Sequence, residues 1–247
     1  PLEPFEQNLR MRLTPPSLEP ASNGLTYLLG TDQLGRDVFA RILHGARISL
    51  LVGITAVFIS GSIGILLGLL SGYYRGWLDS IVMRVVDMQL AMPIIVFALA
   101  WIGFFGASLV SVIIVIGVWG WVQYARFTRS FVISLTETAF VTASTALGAS
   151  NSTVIFRHIA PNLIGPVIVM ATLQVGHAVL LESALSFLGI GVQPPTPTWG
   201  GLVADGRNYI DRAWWVVFLP GLAITAFVLG ANLLGDALRD VLDPKTV

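Results

Sequence analysis

The sequence predicts an all-α protein, a polytopic bundle of membrane-spanning helices. Of its 247 residues, 55% are hydrophobic and only 11% are charged, whereas soluble domains carry about a quarter charged residues. Several long stretches carry no charge at all, and each exceeds the ~20 residues that an α-helix needs to cross a bilayer. We expect five spans in this chain.

Composition also excludes several functions. The formal net charge is zero, so no basic surface points to nucleic acid. The absence of cysteine excludes disulfides, thiolate metal sites and cysteine nucleophiles. Lys245 is the single lysine, so a nucleotide-binding loop of the GxxxxGK[ST] type cannot form.

The N-terminal segment, residues 1–46, contains no span and is rich in proline and polar residues. We expect residues 1–30 to form an extracytoplasmic strap. Thr31–Arg47 is expected to be an amphipathic helix leading into the membrane, because Asp32 can serve as its N-cap and apolar residues follow at helical spacing.

The first span is predicted at Ile48–Gly72, where no residue is charged. Its glycines recur at spacings of three and four, which places several on one helix face, as close helix packing in lipid requires. These glycines are Gly53, Gly61, Gly64 and Gly68.

Met88–Ala125 is uncharged but too long for one span. Gly103–Ser108 supplies a break, which gives one span near Pro93–Phe105, beginning upstream around Val85, and another near Leu109–Phe127. Proline at the start of the earlier span is expected to kink its helix.

Two further spans are predicted at Leu163–Leu188 and Trp214–Leu234. The loop at about 191–213 that joins them is expected outside the cytoplasm, where it could also touch a substrate-delivering protein. Residues 237–247 are expected to form a solvated cytoplasmic tail. Aromatic residues of the loop and of the following span fit an interfacial belt, namely Trp199, Tyr209, Trp214 and Trp215.

A helix–glycine–helix pattern lies between the third and fourth of these spans. Ala139–Leu147 is predicted to be a short helix, and Gly148 stands where a C′ glycine would close it in a left-handed turn. Ser150 or Asn151 can cap a second helix, which Pro161 is expected to stop.

Two functions suit this compact amphipathic element. It can pass force from a soluble partner to the bundle, or it can lie on the lipid surface as an interfacial helix. The residue pattern alone leaves both open.

The segment resembles the EAA loop of ABC-importer permeases, which docks onto the ATPase subunit. Thr142-Ala143-Ser144 stands where that motif has Glu-Ala-Ala, so the motif's glutamate is missing, while Gly148 and Arg157–Pro161 fit well. Two further blocks are similar to the dipeptide, oligopeptide and nickel importers. They are Gly30–Asp37 running on to Gly45–Ser49, and Leu185–Gly189 followed by Gln193–Gly200.

The resemblance covers the chain from about Pro15 onward and points to the C-type of the two permease subunits. It implies the type I ABC importer permease fold, with residues 47–236 as the transmembrane domain and 135–162 as a cytoplasmic coupling loop. Permeases of this type have a further helix before such a strap, so we expect a sixth, N-terminal span. The implied ATPase-coupling residues are Thr142, Ala143, Ser144, Leu147, Gly148, Ala149, Phe156, Arg157, His158 and Pro161.

The resemblance also implies the assembly. The partners would be a homologous second permease, two ABC ATPases, an extracytoplasmic substrate-binding protein and membrane lipid, with no nucleic acid. The assembled complex would lie in the bacterial cytoplasmic membrane. No cofactor is expected in this chain, because ATP and Mg would bind the ATPase subunits. The expected function is import of di- and oligopeptides, by a subunit that is not itself an enzyme.

Glu182 and His177 are the ionisable residues deep in a predicted span, and Gln174 lies one turn before His177. Ionisable residues in spans are candidates for function. We expect Glu182 to serve a structural hydrogen-bonding role and His177 to be a packed residue, with a position on the transport pathway as the alternative. One His and one Glu fall short of a transition-metal site.

Three other functions remain as alternatives. Nickel or another small solute could be the substrate, because nickel permeases share the same sequence blocks. A proton-coupled secondary carrier could use His177 and Glu182 as a relay. A membrane enzyme is disfavoured, because the spans lack the paired catalytic groups that one needs.

Overall fold

A computed structural model of this chain describes residues 3–242. In that range the regular structure is helical, apart from an isolated antiparallel bridge between Thr31 and Asp37. Four helical runs are long and apolar enough to cross a membrane, and a bent pair of shorter helices makes a fifth candidate. This agrees with the all-α, five-span prediction.

The strap before the first long helix is held by turns, with a 3₁₀ helix at Leu9–Met11. The prediction of a helix from Thr31, capped by Asp32, is wrong. Asp32 Oδ1 instead accepts the backbone N–H groups of Leu34 at 2.8 Å and Arg36 at 3.0 Å, which closes a tight turn.

Helix α1, Val38–Tyr74, begins directly after this turn. Asp37 is its capping residue, because Asp37 Oδ1 accepts the Ala40 N–H at 2.7 Å. The predicted lead-in helix and first span are therefore one helix, and the expected boundary at residues 46 and 47 falls inside it.

Helices α2, Gly76–Leu90, and α3, Ile94–Phe105, are bent by 88° relative to each other. The bend falls at Pro93, which cannot continue the hydrogen-bond ladder. Helix α4, Leu109–Thr136, follows the predicted break and extends nine residues beyond the predicted end at Phe127, since 136 − 127 = 9.

Helix α5, Ala139–Ala146, precedes a helical run that continues from residue 151 to residue 187. The run comprises α6, Asn151–Thr153, a π-helical stretch, Val154–Ile159, and α7, Ala160–Phe187. The prediction that Pro161 stops the second helix is wrong. A π turn is wider than an α turn, and it relieves the clash of a proline ring with the preceding turn.

Helix α8, Trp199–Gly206, and a 3₁₀ turn, Arg207–Tyr209, lie in the predicted outer loop. Helix α9, Trp215–Leu242, includes the start of the expected tail, whereas residues 243–247 lie outside the described part of the chain. The assignment of Trp199 to an aromatic belt is wrong, since its side chain is buried and its Nε1 donates to the Ile42 carbonyl at 2.9 Å.

Trp215 is also buried, and its Nε1 donates to the Thr31 carbonyl at 3.1 Å. Trp214 is exposed, as a belt residue would be. The two neighbouring tryptophans therefore serve different purposes, one in packing the strap and the other at the surface.

The chain divides into two compact units. The first contains Pro1–Ile54, Ala98–Ile113 and Val175–Gly230. One of its cores joins the strap and α1 to the start of α9, and another joins α7 and α8 to α9. The buried residues of these cores are Val38, Ala213, Trp215, Val216, Val179, Trp199 and Ile224.

The second unit contains Thr55–Phe97, Ile114–Gln174 and Ala231–Val247. Here three of the four predicted glycines of α1, Gly61, Gly64 and Gly68, pack on α4. A Cβ on Gly64 would lie 2.5 Å from the Tyr124 Cβ, and one on Gly68 would lie 2.5 Å from the Ala125 carbonyl oxygen. Such a close backbone approach is the packing that small residues permit in membranes.

Candidate functional site

The centre of the candidate coupling site is a closed turn between α5 and α6. Gly148 has φ of +85°, a conformation that glycine adopts without steric cost. Its N–H donates to the Thr145 carbonyl at 3.0 Å, and the Ala149 N–H donates to the Ser144 carbonyl at 3.1 Å. This is the Schellman arrangement that satisfies the last carbonyls of a helix, and the predicted left-handed turn is present.

The second helix is capped by Ser150, one of the two candidates. Ser150 Oγ accepts the Thr153 N–H at 3.3 Å. The side chain of Asn151 has another partner, because its Oδ1 accepts the Tyr73 hydroxyl at 3.0 Å. The end of α1 and the start of α6 are thereby joined.

The inner side of this segment is anchored in an apolar core of the second unit. One buried residue of α5 and four of the following helix contact buried residues of α1 and α4. Burying a side chain of this size contributes about 1.5–3 kcal/mol. The core consists of Leu69, Val132, Val141, Val154, Ile155, Ile159 and Leu163.

The outer side of the segment presents large apolar groups to solvent. Leu147 is 89% exposed beside the turn, and Phe156 is 73% exposed on the helix that follows it. Because the opposite side of the segment is fixed in the core, both side chains are held at the surface of the chain. We call Leu147 and Phe156, with the turn at Gly148 between them, the coupling surface.

The remaining predicted coupling residues lie around this surface. Thr142, Ala143, Arg157 and Pro161 are exposed, while Ser144, Ala149 and His158 are half-buried. The Thr142 hydroxyl donates to the Thr138 carbonyl at 3.0 Å, so this position offers a partner no charge.

Phe140 belongs with this set, although the sequence analysis did not include it among the coupling residues. Its ring centroid lies 6.3 Å from that of His158, and 48% of the residue is exposed. Phe140 is the large apolar residue at the start of a short helix of mostly small residues, two positions before Thr142. This contrast in size could have marked Phe140 as a candidate coupling residue.

The first unit contains a second polar site, centred on Glu182 of α7. This residue is fully buried. Its Oε1 accepts the Ser186 hydroxyl at 2.7 Å and its Oε2 accepts the Ser49 hydroxyl at 3.3 Å. The Ser49 hydroxyl also accepts the backbone N–H of Trp199, the first residue of α8, at 3.2 Å. This network therefore connects α1, α7 and α8.

The structure does not bring the other two predicted polar residues into this network. His177 is exposed on the surface of this chain, and Gln174 is half-buried. The expectation that His177 packs inside the bundle is therefore not met within the described residues of this chain.

A buried ionic cluster of the first unit was missed by the sequence analysis. Asp32 Oδ2 accepts Arg36 Nε at 2.7 Å and Arg41 Nη1 at 2.5 Å, and Asp205 Oδ2 lies 3.5 Å from Arg41 Nη2. Removing one partner from a buried pair costs about 3–5 kcal/mol, because the other charge stays behind. Burial raises the pKa of the nearby Asp37 carboxyl group, although hydrogen bonds from backbone N–H groups act to lower that pKa.

Comparison with known proteins gives a family match over most of the chain. Residues 64–247 match the family described as "Binding-protein-dependent transport system inner membrane component".

Three relatives cover nearly the full chain. The di/tripeptide transport system permease protein DppC of Pseudomonas aeruginosa is 46% identical, over 99% of this chain and 80% of the relative. The dipeptide transport system permease protein DppC of Alkalihalophilus pseudofirmus is 45% identical, over 97% and 77%. The glutathione transport system permease protein GsiD of Escherichia coli is 43% identical, over 90% and 73%.

Among solved structures, a chain of the MetNI methionine ABC transporter in an inward-facing conformation has the same fold. The TM-score is 0.69 at 19% identity, over 82% of this chain and 96% of the other. A second crystal form of that transporter gives a TM-score of 0.65 at 18% identity.

Proposed function

This chain belongs to the family of binding-protein-dependent transport system inner membrane components, and we propose that it is a permease subunit for the ATP-driven import of di- and oligopeptides. The substrate assignment rests on the similarity of this chain to two permeases that are named for dipeptides or for di- and tripeptides. They are 46% and 45% identical to it over almost the whole chain. The role of a membrane-embedded transport subunit follows from the family itself.

The energy for transport would come from other subunits. Lys245 is the single lysine of the chain, which leaves no loop of the type that binds ATP phosphates through lysine. ATP and Mg would therefore bind two ABC ATPases. A homologous second permease and an extracytoplasmic binding protein would complete the importer, and this chain alone would have no activity.

The coupling surface is the proposed contact with one ATPase. Exposed Leu147 and Phe156 present an apolar pair on a base that is packed in the core, the kind of anchor that dominates interface energies when a pocket on the partner receives it. Closure of the ATPases on ATP would move this surface, and rigid-body rocking would switch access to the pathway.

The topology follows from this contact. If the coupling surface lies in the cytoplasm, the 37-residue run from Asn151 to Phe187, about 55 Å long, crosses the membrane and ends outside. The segment from Leu188 to Trp214 would then be extracytoplasmic, together with the strap. Glu182 would be a structural residue of the bundle.

The test is uptake by the importer reconstituted in liposomes with its binding protein. Labelled dialanine should accumulate only when ATP is supplied to the ATPase side. Omission of the ATPases should abolish uptake. Uptake without ATPases, driven by a proton gradient, would contradict the proposal and favour a secondary carrier.

Glutathione is the second candidate substrate, because a glutathione permease is 43% identical to this chain. Competition separates the candidates. Excess unlabelled dialanine should suppress uptake of the labelled dipeptide, and glutathione should do so only if it shares the pathway. Preferential uptake of glutathione or of Ni²⁺ would assign the substrate differently.

A further inference from the structure

The first unit contains a partly open cavity of about 240 Å³ that no role described above uses. Its walls are the end of α7, the loop that follows, and α8. This volume is smaller than the ~300–1,000 Å³ of sites for drug-sized ligands, and it suits a ligand of one or two amino-acid residues. The charged side chains that line it are Arg41, Asp205 and Arg207.

One wall of the cavity favours a carboxylate. Arg207 is exposed, and one of its N–H groups donates to the Phe187 carbonyl at 3.4 Å, with the guanidinium carbon 5.7 Å from the Phe187 ring centroid. A guanidinium has five N–H donors. The others make no hydrogen bond or ion pair to any residue of the described range 3–242, so they can hold a carboxylate in the two-pronged geometry typical of arginine.

Asp205, which also lines the cavity, favours a cation instead of a carboxylate. Asp205 is held loosely, since its Oδ2 lies 3.5 Å from Arg41 and 3.8 Å from Arg36, and its side chain is 32% exposed. Those two arginines also neutralise Asp32 at much shorter distances. Both contacts of Asp205 with these arginines use Oδ2, and Oδ1 of Asp205 makes no hydrogen bond or ion pair to residues 3–242, so this oxygen can accept from an ammonium group.

The end of α7 strengthens this preference. Phe187, Leu188 and Gly189 line the cavity, and a helix C-terminus carries partial negative charge. Gly189 has φ of +81° and closes the helix in a left-handed turn. The end of the helix dipole and Asp205 therefore favour an ammonium group.

The cluster as a whole is balanced except for Arg207. Asp32 and Asp205 offset Arg36 and Arg41 in formal charge, so the charge of Arg207 is left to attract a carboxylate. A ligand with one carboxylate for Arg207 and one ammonium for Asp205 Oδ1, separated by a short backbone, matches both side chains. Free short peptides have this pattern.

We propose that this cavity is an extracytoplasmic binding site for zwitterionic short peptides, in which Arg207 holds the peptide carboxylate and Asp205 its ammonium. The inference rests on the proposed function, because the cavity lies at the end of α7 that is outside when the coupling surface is in the cytoplasm. It adds a site on the permease itself that receives the peptide after the binding protein releases it.

The experiment measures binding to the complete permease–ATPase complex in nanodiscs, without the binding protein. The probes are labelled dialanine, its C-terminal amide and its N-acetyl form. Dialanine should bind, and both modified forms should bind about tenfold or more weakly, because each loses one charge-assisted contact.

Variants then assign the contact. Arg207→Gln should lower dialanine affinity about tenfold and abolish the discrimination against the amide. Arg207→Lys should retain part of the affinity, because it keeps the charge without the fork. Arg212→Gln removes an exposed arginine that does not line the cavity and should bind like the wild type. The yield of assembled complex should stay constant across the three variants.

Two outcomes would overturn the proposal. One is wild-type binding of dialanine that Arg207→Gln leaves unchanged. The other is loss of uptake in Arg207→Gln with unchanged dialanine binding, which would assign Arg207 to an acidic side chain of the binding protein. Failure of the proposed function looks different, because the wild-type importer would then take up no peptide at all.

Discussion

Ser49 donates a hydrogen bond of 3.3 Å from its hydroxyl to Glu182 Oε2, and the same hydroxyl accepts the backbone N–H of Trp199 at 3.2 Å. One serine of α1 thus joins the carboxyl group of α7 to the first turn of α8. The hydroxyl groups of Ser49 and Ser186 donate to the Glu182 carboxyl group, and neither partner is a basic side chain. The group at position 182 therefore needs hydrogen-bonding capacity more than charge.

Glu182→Gln should preserve assembly and transport, because an amide keeps most of the hydrogen-bonding capacity of the carboxyl group. Glu182→Leu should lower the yield of assembled complex, since each buried partner left unsatisfied costs about 1–3 kcal/mol. Complex yield and peptide uptake measured side by side check this. A fully assembled but inactive Glu182→Gln complex would place Glu182 on the translocation path.

Gly148→Val should lower both uptake and stimulated ATPase activity while the subunit still inserts. No neighbour would obstruct the new side chain, so the effect would come from the backbone, where a β-branched residue at φ of +85° costs about 1–3 kcal/mol. Uptake and stimulated ATPase activity are the measurements. Gly230→Val is the matched control, because Gly230 is equally uncrowded without a positive φ; equal loss in both variants would refute the role of the turn.

Leu147→Asp should weaken docking of the ATPase. Burying a leucine side chain contributes about 1.5–3 kcal/mol, and a loss of about 2 kcal/mol corresponds to about 30-fold in affinity. Co-purification of the ATPase with the permease pair measures the loss. Leu18→Asp is the control, since Leu18 is 86% exposed in the strap, and normal ATPase recovery with Leu147→Asp would exclude the proposed contact.

Single cysteines can test the topology, because the chain has none of its own. Ser22 and Ser152 are both exposed in this structure. A cysteine at Ser22 should react with an impermeant thiol reagent added outside. One at Ser152 should react only from the cytoplasm and be protected by the bound ATPase. The reverse pattern would invert the proposed orientation.

Local sequence patterns correctly predicted the structural elements that are determined by residues near each other in the chain. The uncharged runs marked the spans, and Gly148 and Ser150 marked the turn and its cap. The glycines of α1 marked the face that packs on α4. In each case the deciding interaction lies within a few residues or follows from helix periodicity.

The failures have local and distant causes. Asp32 looked like a helix cap, but its carboxylate closes a turn onto Leu34 and Arg36, and Asp37 caps the helix instead. Trp199 and Trp215 looked like interfacial residues, but their N–H groups bond to carbonyls of α1 and of the strap. A single sequence does not show contacts that span more than 150 residues.

The π-helical stretch Val154–Ile159 sets the angular register between the helical turns on either side of it. A π turn holds about one residue more than an α turn, and one residue corresponds to about 100° of rotation in an α-helix. Deleting one residue of the stretch would therefore rotate the side chains before it by about 100° relative to the start of α7. The residues that now face the apolar core on the two sides of the stretch would then no longer share one face.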